Sequence, residues 1–235
     1  MARWFSRPLL RLVAALLALA LLSAALPAAF AQSDTRSFPQ TGHTLRGLFR
    51  AFWEANGSTA IFGYPISEEY ADPNGVTIQW FERSRFEFVT VGGKLQVALG
   101  NVGAESIGDR AFPKVPPIKD TPDRRYIPET QHVIQYGFKQ IWETRGTARI
   151  FGYPLSEEIQ EVLDDGEWHT VQYFEKARFE YWPNLPPGQR VLLSHLGRRL
   201  APPDRAAPAT PAAGGQATPT ATPAPTPDLP PSVRA

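Results

Sequence analysis

The sequence predicts an α+β protein with two tandem small modules, each with one helix and a short antiparallel β-hairpin or sheet, and a disordered tail rich in proline and threonine. Three observations lead to this prediction. The segment IFGYPISEE at 61–69 returns as IFGYPLSEE at 150–158. A stretch with apolar residues at helical spacing precedes each copy, and a stretch that alternates with a period of two follows it. Helices and antiparallel strands within one short unit are typical of α+β architecture.

The duplication consists of three blocks with different offsets. The nine-residue segment repeats after 89 residues, and the segment IQWFERSRFE returns 93 residues later as VQYFEKARFE. The third block is the pair Leu99-Gly100, which we match with Leu196-Gly197 at an offset of 97. Each increase of four residues predicts an insertion in a loop between blocks.

The repeats divide the chain into segments. A module of this length buries only about 60% of the surface of its unfolded chain and is marginally stable alone. We therefore expect the two modules to pack against each other, or against further copies in a partner. The predicted organisation is a signal peptide at 1–31, module 1 at 38–110, a Pro-rich linker at 111–125, module 2 at 126–200 and a disordered Pro/Thr/Ala-rich tail at 201–235.

The first 31 residues have the pattern of a secretory signal. Three arginines precede an apolar run from Leu12 to Leu26, which is shorter than the ~20 residues that span a bilayer. Ala29-Phe30-Ala31 then offers a cleavage site, so Gln32 is the expected mature N-terminus and the mature chain is expected to be extracellular. An uncleaved membrane anchor is the alternative interpretation.

The tail at 201–235 contains ten of the 24 prolines of the chain. Such a segment buries too little apolar surface to offset the entropy lost on ordering, so we expect an extended, disordered tail. Two interpretations remain open: a wall-spanning stalk or O-glycan acceptor, and a terminus without a role.

Charge and cysteine content exclude several classes. The formal net charge of +1 becomes −2 without Arg3, Arg7 and Arg11, which gives no electrostatic basis for binding nucleic acid or an anionic membrane. The absence of cysteine excludes disulfides, thiol nucleophiles and thiolate metal sites.

Each module is expected to begin with a helix. In the first copy the helix extends over His43–Glu54, with Thr41 as its N-cap, and Thr130 has the same place in the second copy. Gly57 and Gly146 follow the helices, where a left-handed turn is needed.

A turn and a hairpin complete each module. In the FGYP segment, glycine permits backbone angles that other residues resist, and proline fixes the next one. The serine that follows is expected to start a short helical turn. The alternating stretch at 78–88 predicts a β-hairpin with a polar turn. Third strands are expected over Leu95–Leu99 and Val191–Leu193.

The order of helix with Trp, FGYP-x-SEE and QxFExxRF resembles the LGFP-type repeats of bacterial secreted proteins. The chain also resembles an uncharacterised class of secreted repeats in filamentous green bacteria. The first resemblance implies attachment to the cell wall, and neither group supplies a residue-level binding site. The match departs from the LGFP pattern at Phe62-Gly63-Tyr64-Pro65, and at 82–85, where the family usually has a glycine-containing turn.

Aromatic residues on the turns and hairpins are the candidate ligand-binding residues. Tyr64 and Tyr153 lie on the FGYP turns, and Trp80 and Tyr173 lie on the hairpins. Aromatic faces stack on sugar rings, which favours a glycan ligand. Packing between the two modules would explain the same residues.

The duplicated acidic residues are interpreted as structural. Paired carboxylates serve hydrolysis, but arginines recur in the same modules and would pair with Glu69 and Glu158. His43 and His132 have no second histidine at metal-ligand spacing, so we expect no metal site and no cofactor. The residues assigned to the structural motif are Gly63, Pro65, Glu69, Arg85, Gly152, Pro154, Glu158 and Arg178.

These features predict a secreted, non-enzymatic cell-surface module that binds cell-wall polysaccharide or peptidoglycan, with avidity from two copies. One alternative is a structural spacer or scaffold for another secreted protein. A further alternative is a small hydrolase that uses Glu69 and Glu158. After signal cleavage, the prediction includes neither a membrane nor a nucleic-acid partner.

Overall fold

The computed structural model describes residues 34–206. The predicted signal peptide and the greater part of the predicted tail lie outside the described residues. Within 34–206, six helices accompany four small antiparallel sheets, so the architecture is α+β, as the sequence predicts. We refer to residues 34–110 as the first half and to residues 111–206 as the second half.

Both halves contain the same succession of nine elements. The first half contains β1 (Thr35–Phe38), β2 (His43–Arg46), α1 (Gly47–Ala55), α2 (Ser58–Ile61), β3 (Tyr70–Ala71), β4 (Thr77–Trp80), β5 (Arg85–Val91), β6 (Lys94–Leu99) and α3 (Val102–Ile107). The second half contains β7 (Arg124–Ile127), β8 (His132–Gln135), α4 (Tyr136–Arg145), α5 (Thr147–Phe151), β9 (Ile159–Val162), β10 (Trp168–Tyr173), β11 (Arg178–Tyr181), β12 (Val191–Leu193) and α6 (Leu196–Leu200).

The main helix of each half begins four residues later than predicted. Residues 43–46 form strand β2, which pairs with β1 in a hairpin whose innermost facing residues are Phe38 and His43. The chain then turns at Gly47, whose φ of 54° is a left-handed conformation, and α1 follows. Leu45 enters the core from the strand. The helical spacing of the apolar residues therefore hid a strand-to-helix junction.

The predicted helix caps are also wrong. Thr41 and Thr130 lie in the turns of the N-terminal hairpins, and their hydroxyls are buried without a hydrogen-bond partner among the described residues. Arg46 and Gln135 precede the helices, and neither makes a side-chain capping bond. The serine after each FGYP turn starts no helical turn, because residues 66–69 and 155–158 have a bend at the serine and no regular secondary structure.

Each half has a four-stranded meander with the order β3-β4-β5-β6 or β9-β10-β11-β12. The alternating segments lie in β4–β5 and β10–β11, and the third strands lie next to them. The edge strands β3 and β9 were not predicted. Both faces of β4 are buried: Phe81, just after it, belongs to the main core, whereas Ile78 and Trp80 belong to a smaller cluster.

The last helix of each half packs on the other half. The Ala104 amide of α3 donates to the Glu175 carbonyl at 2.9 Å, and the Arg198 amide of α6 donates to the Glu82 carbonyl at 3.1 Å. A methyl group on Gly103 would lie 1.9 Å from the Phe174 carbonyl oxygen, so only glycine permits this approach. The two halves are therefore intertwined, and one apolar cluster contains residues of both.

The strand registers correct the third sequence offset. Leu99 faces Phe86 in the first half, and Leu193 faces the equivalent Phe179 in the second. The structural offset is therefore 94 residues, not 97, and Gly103 corresponds to Gly197. The pair Leu196-Gly197 matches Leu99-Gly100 in its letters but lies one turn further along the chain.

Candidate functional site

The duplicated polar residues hold the fold together. The Gln79 side-chain amide donates to the Thr44 carbonyl at 2.7 Å and to the Ser67 carbonyl at 2.8 Å. It therefore connects β4 with β2 and with the segment that follows the FGYP turn. Gln172 makes the same two bonds in the second half, both at 2.8 Å. Both glutamines are buried, so they serve architecture.

The FGYP turns are fixed in the same way. The Trp53 indole N–H donates to the Gly63 carbonyl at 3.0 Å, and Trp142 bonds Gly152 at 2.9 Å. Both glycines have φ of 77°, and a methyl group on Gly63 would lie 2.5 Å from Glu82 Cβ. Backbone angle and space therefore both require glycine at this position.

The predicted pairing of Glu69 with Arg85 is wrong. Arg85 instead makes a bidentate contact with Glu105 of α3 and a further bond with Glu87 at 2.7 Å. Glu69 lies 3.4 Å from Arg46. The strands place Arg85 on the face of the sheet that α3 covers, away from β2.

The equivalent pairing of Glu158 with Arg178 is also wrong. Arg178 donates to Glu180 at 2.8 Å and to Ser194 at 2.7 Å, and it lies 3.4 Å from Glu161. Burial raises the pKa of Glu158, and a hydrogen bond from Gln135 opposes this only in part.

The preceding glutamates, Glu68 and Glu157, instead bond the segment after each FGYP turn to β2 and to β8. Glu68 accepts the Thr44 amide at 2.9 Å and lies 3.3 Å from His43 Nδ1. Glu157 contacts the Val133 amide and His132 in the same way. The two histidines thus have a structural environment, and the described residues contain no group of three or more His, Cys, Asp or Glu that could hold a metal ion.

Trp80 and Tyr173 do not form the open aromatic surface that the sequence predicts. Each is only 4% exposed. Trp80 donates to the Tyr70 hydroxyl at 3.0 Å, and Phe112 of the linker stacks on Tyr173 with ring centroids 5.7 Å apart. Both side chains are buried because other parts of the chain cover both faces of β4 and β10.

Tyr64 and Tyr153 are half-buried and pack against the main core. Tyr64 lies edge-on to Phe38, with ring centroids 5.8 Å apart. Their role in ligand binding stays a prediction.

An exposed tryptophan instead marks a cavity in the second half, which we call the Trp168 cavity. Trp168 begins β10 and is 68% exposed. The cavity has a volume of about 650 Å³ and lies along edge strand β9, between the second sheet and helices α3 and α6. This volume is typical of small-molecule sites. Its lining residues are Ser106, Arg110, Gln160, Glu161, Val162, Trp168, Tyr173, Arg178, Leu196, Arg199 and Leu200.

A charge network lines the Trp168 cavity. Glu161 accepts hydrogen bonds from Arg110 and from the Tyr173 hydroxyl, both at 2.8 Å, and Arg178 lies 3.4 Å away. The bond to Glu161 raises the pKa of Arg110. Burial acts to lower the pKa of Arg178, but its bonds with Tyr173 and Glu180 outweigh this and raise it. Glu161 is the only carboxylate among the described lining residues.

Sequence reasoning missed this cavity because Trp168 has no duplicate. Its counterpart at the hairpin offset of 93 is Gly75. A lone tryptophan at a strand start, without a partner in the repeat, was the available signal.

Comparison with known proteins adds no assignment. No protein-family model matches the chain. No curated protein matches it at a significant level. The resemblance to LGFP-type repeats therefore stays a prediction. Among residues 34–206, no helix has the length and apolar character needed to cross a bilayer.

Proposed function

We propose that the protein is a secreted, non-enzymatic cell-surface module that binds cell-wall polysaccharide or peptidoglycan in the Trp168 cavity. The observation that carries the proposal is the exposed indole of Trp168 on the wall of a polar cavity. The predicted signal peptide supports secretion, and the resemblance to LGFP-type repeats supports the cell wall as the ligand.

The chemistry of the lining suits a sugar. The C–H groups of a sugar ring stack on the electron-rich face of an indole, and hydroxyl groups need both donors and acceptors. Arg110 and Arg199 supply donors, and Gln160 supplies both kinds of group.

The number of carboxylates in the Trp168 cavity supports a binding role over a hydrolytic one. Glycoside hydrolysis requires two carboxylates that flank the scissile bond. Among the described lining residues Glu161 is the one carboxylate, and it accepts hydrogen bonds from Arg110 and Tyr173.

We also propose that the two halves are copies of one module, each a helix on a short antiparallel sheet, with the last helix exchanged. The repeated bonds of Gln79 and Gln172, and of Trp53 and Trp142, support this. The Trp168 cavity occurs in the second copy, so avidity from two identical surfaces is no longer part of the proposal.

Retention on insoluble wall material tests the function. The chain from Gln32 onward is mixed with purified peptidoglycan and with wall polysaccharide, and the bound fraction is measured. We expect Trp168→Ala to weaken retention about tenfold or more, because the stacking face is lost. The matched control is Tyr136→Ala, which removes a different exposed aromatic ring, 66% exposed, outside the cavity. Equal retention of wild type and Trp168→Ala would refute the assignment.

A structural spacer or scaffold for protein partners is the second candidate. The intertwined halves favour it, since exchanged helices resist separation under load. It predicts no retention on either glycan preparation. It also predicts that the wild type can be cross-linked to a protein on the cell surface, and that the Trp168→Ala variant is cross-linked to the same protein.

A further inference from the structure

A second cavity lies where the two halves meet, and we call it the inter-half cleft. It has a volume of about 500 Å³. Equivalent positions of the two halves line it: Asn56, just after α1, corresponds to Arg145 at the end of α4, and Ala60 of α2 corresponds to Arg149 of α5. The second copy therefore has an arginine at each of two positions where the first has a neutral residue.

The inter-half cleft is cationic. Arg83, Arg145 and Arg149 line it, and its described lining contains no Asp or Glu. Arg83 donates to the carbonyls of Leu193 at 3.1 Å and Thr59 at 2.9 Å, and it has no carboxylate within ion-pairing distance among the described residues. Burial lowers its pKa more than the more distant carboxylates raise it.

The other two arginines of the inter-half cleft, Arg145 and Arg149, also have no carboxylate partner among the described residues. Arg149 donates to the neutral side chain of Asn56 at 2.7 Å. Arg145 is exposed and makes no ion pair within the described part of the chain. Three uncompensated cations around one cavity are a favourable environment for an anion.

An apolar groove continues from the inter-half cleft. It has a volume of about 600 Å³, lies between α1 and β6, and shares Ala55, Asn56 and Arg149 with the cleft. Leu48 and Leu95 line the groove and are 45% and 52% exposed. Apolar side chains this exposed gain free energy when a ligand covers them.

The equivalent position in the second half is closed. Gly137 replaces Leu48 there, and a methyl group on it would lie 3.0 Å from a methyl of Val191. The groove is thus a feature of the first half, and two of the three arginines of the inter-half cleft, Arg145 and Arg149, come from the second half. The combined site exists only because the two halves are packed together.

We propose that the inter-half cleft and the groove bind an amphipathic anion with a single alkyl chain. The anionic head contacts Arg83, Arg145 and Arg149, and the chain lies along Leu48 and Leu95. Guanidinium groups form charge-assisted, bidentate hydrogen bonds with carboxylate and with phosphate. A fatty acid and an alkyl phosphate share this chemistry. The site is separate from the Trp168 cavity, so the proposal is independent of the glycan assignment.

Calorimetric titration of the chain from Gln32 onward tests the proposal. Dodecanoate and dodecyl phosphate, each below its micelle concentration, are the two probes, and dodecanol is the uncharged control. We expect both anions to bind. The affinity for dodecanol should be lower by a factor of about ten or more. Preference for one anion identifies the head group. Equal affinity for dodecanol, or no binding of either anion, would overturn the proposal.

Matched variants locate the site. Arg145→Gln combined with Arg149→Gln should weaken binding about tenfold or more, whereas Arg124→Gln, which changes an exposed arginine outside the cleft, should not. Leu95→Asp should weaken binding, whereas Val91→Asp, at another exposed aliphatic residue, should not. All five positions are exposed, so thermal midpoints should change little.

Sedimentation of the same samples tests whether a second copy of the chain, and not an alkyl anion, occupies the groove. Suppose that the wild type is a dimer, that Leu95→Asp makes it monomeric, and that neither anion binds. The groove would then be an interface between two copies, and the proposal would be wrong.

Discussion

The exchange of helices between the halves makes a sharp prediction at Gly103 and Gly197. A methyl group on Gly103 would lie 1.9 Å from the Phe174 carbonyl oxygen, and one on Gly197 would lie 1.8 Å from the Phe81 carbonyl oxygen. An ordinary Cβ contact needs about 3.4 Å, so the helix must withdraw by roughly 1.5 Å. Neither close atom belongs to a side chain that could move aside.

The cost follows from what this withdrawal disrupts. Overpacking costs about 1–3 kcal/mol, and loss of the Ala104 or Arg198 amide bond adds about 1 kcal/mol. Val102 and Leu196, the fully buried residues next to the two glycines, lose part of their burial, which is worth about 1 kcal/mol. We expect Gly103→Ala and Gly197→Ala each to lower the free energy of unfolding by about 3–5 kcal/mol.

Urea denaturation followed by tryptophan fluorescence measures this loss. Gly100→Ala is the control, because a methyl group there meets the ends of the Arg85 and Glu87 side chains, which can move. It should cost clearly less than either substitution. The reasoning is wrong if Gly103→Ala and Gly197→Ala cost no more than Gly100→Ala.

Two further predictions concern backbone strain and pH. Tyr136 has φ of 47° at a position where the first copy has Gly47, so Tyr136→Gly should raise the free energy of unfolding by up to about 1 kcal/mol, and Gly47→Ala should lower it by a similar amount. Urea titration checks both, and a loss for Tyr136→Gly would contradict the strain argument. Burial acts to lower the pKa of His169, but its contacts with Asp165 and the Tyr181 carbonyl raise it above the ordinary 6.5, and the bond to His169 lowers the pKa of Asp165 below 3.8. The charged pair therefore stabilises the fold most between about pH 4 and 6.5, and the stability difference between wild type and His169→Gln should shrink as pH rises through the raised pKa of His169. A pH-independent difference would refute this.

The sequence predicts those features that depend on neighbouring residues. The glycine of each FGYP turn has the positive φ that its residue type suggests. The alternation around Gln79 places two strands correctly: Ile78 and Trp80 face the smaller cluster, and Phe81 faces the main core.

The prediction fails where distant segments decide the structure. Leu45 fits the helical period, yet it lies in a strand because β1 supplies its hydrogen bonds. The partners of Arg85 and Arg178 follow from strand register and from the placement of α3, which no local pattern contains. Trp80 could not be assigned from alternation alone, because alternation does not say whether a second layer covers the outer face.

The two candidate binding sites follow from one asymmetry between the copies. The residues that both copies share are bonded within the fold, as with Gln79 and Gln172, and a ligand cannot use them without breaking it. The candidate sites contain residues that only one half has: Trp168 stands where the first half has Gly75, and Arg149, whose side chain donates to Asn56, stands where it has Ala60. The residues common to the two halves thus form the frame of the fold, and the candidate sites lie where the halves differ at the surface. Binding should therefore be sensitive to unduplicated surface residues, and stability should be sensitive to duplicated buried ones.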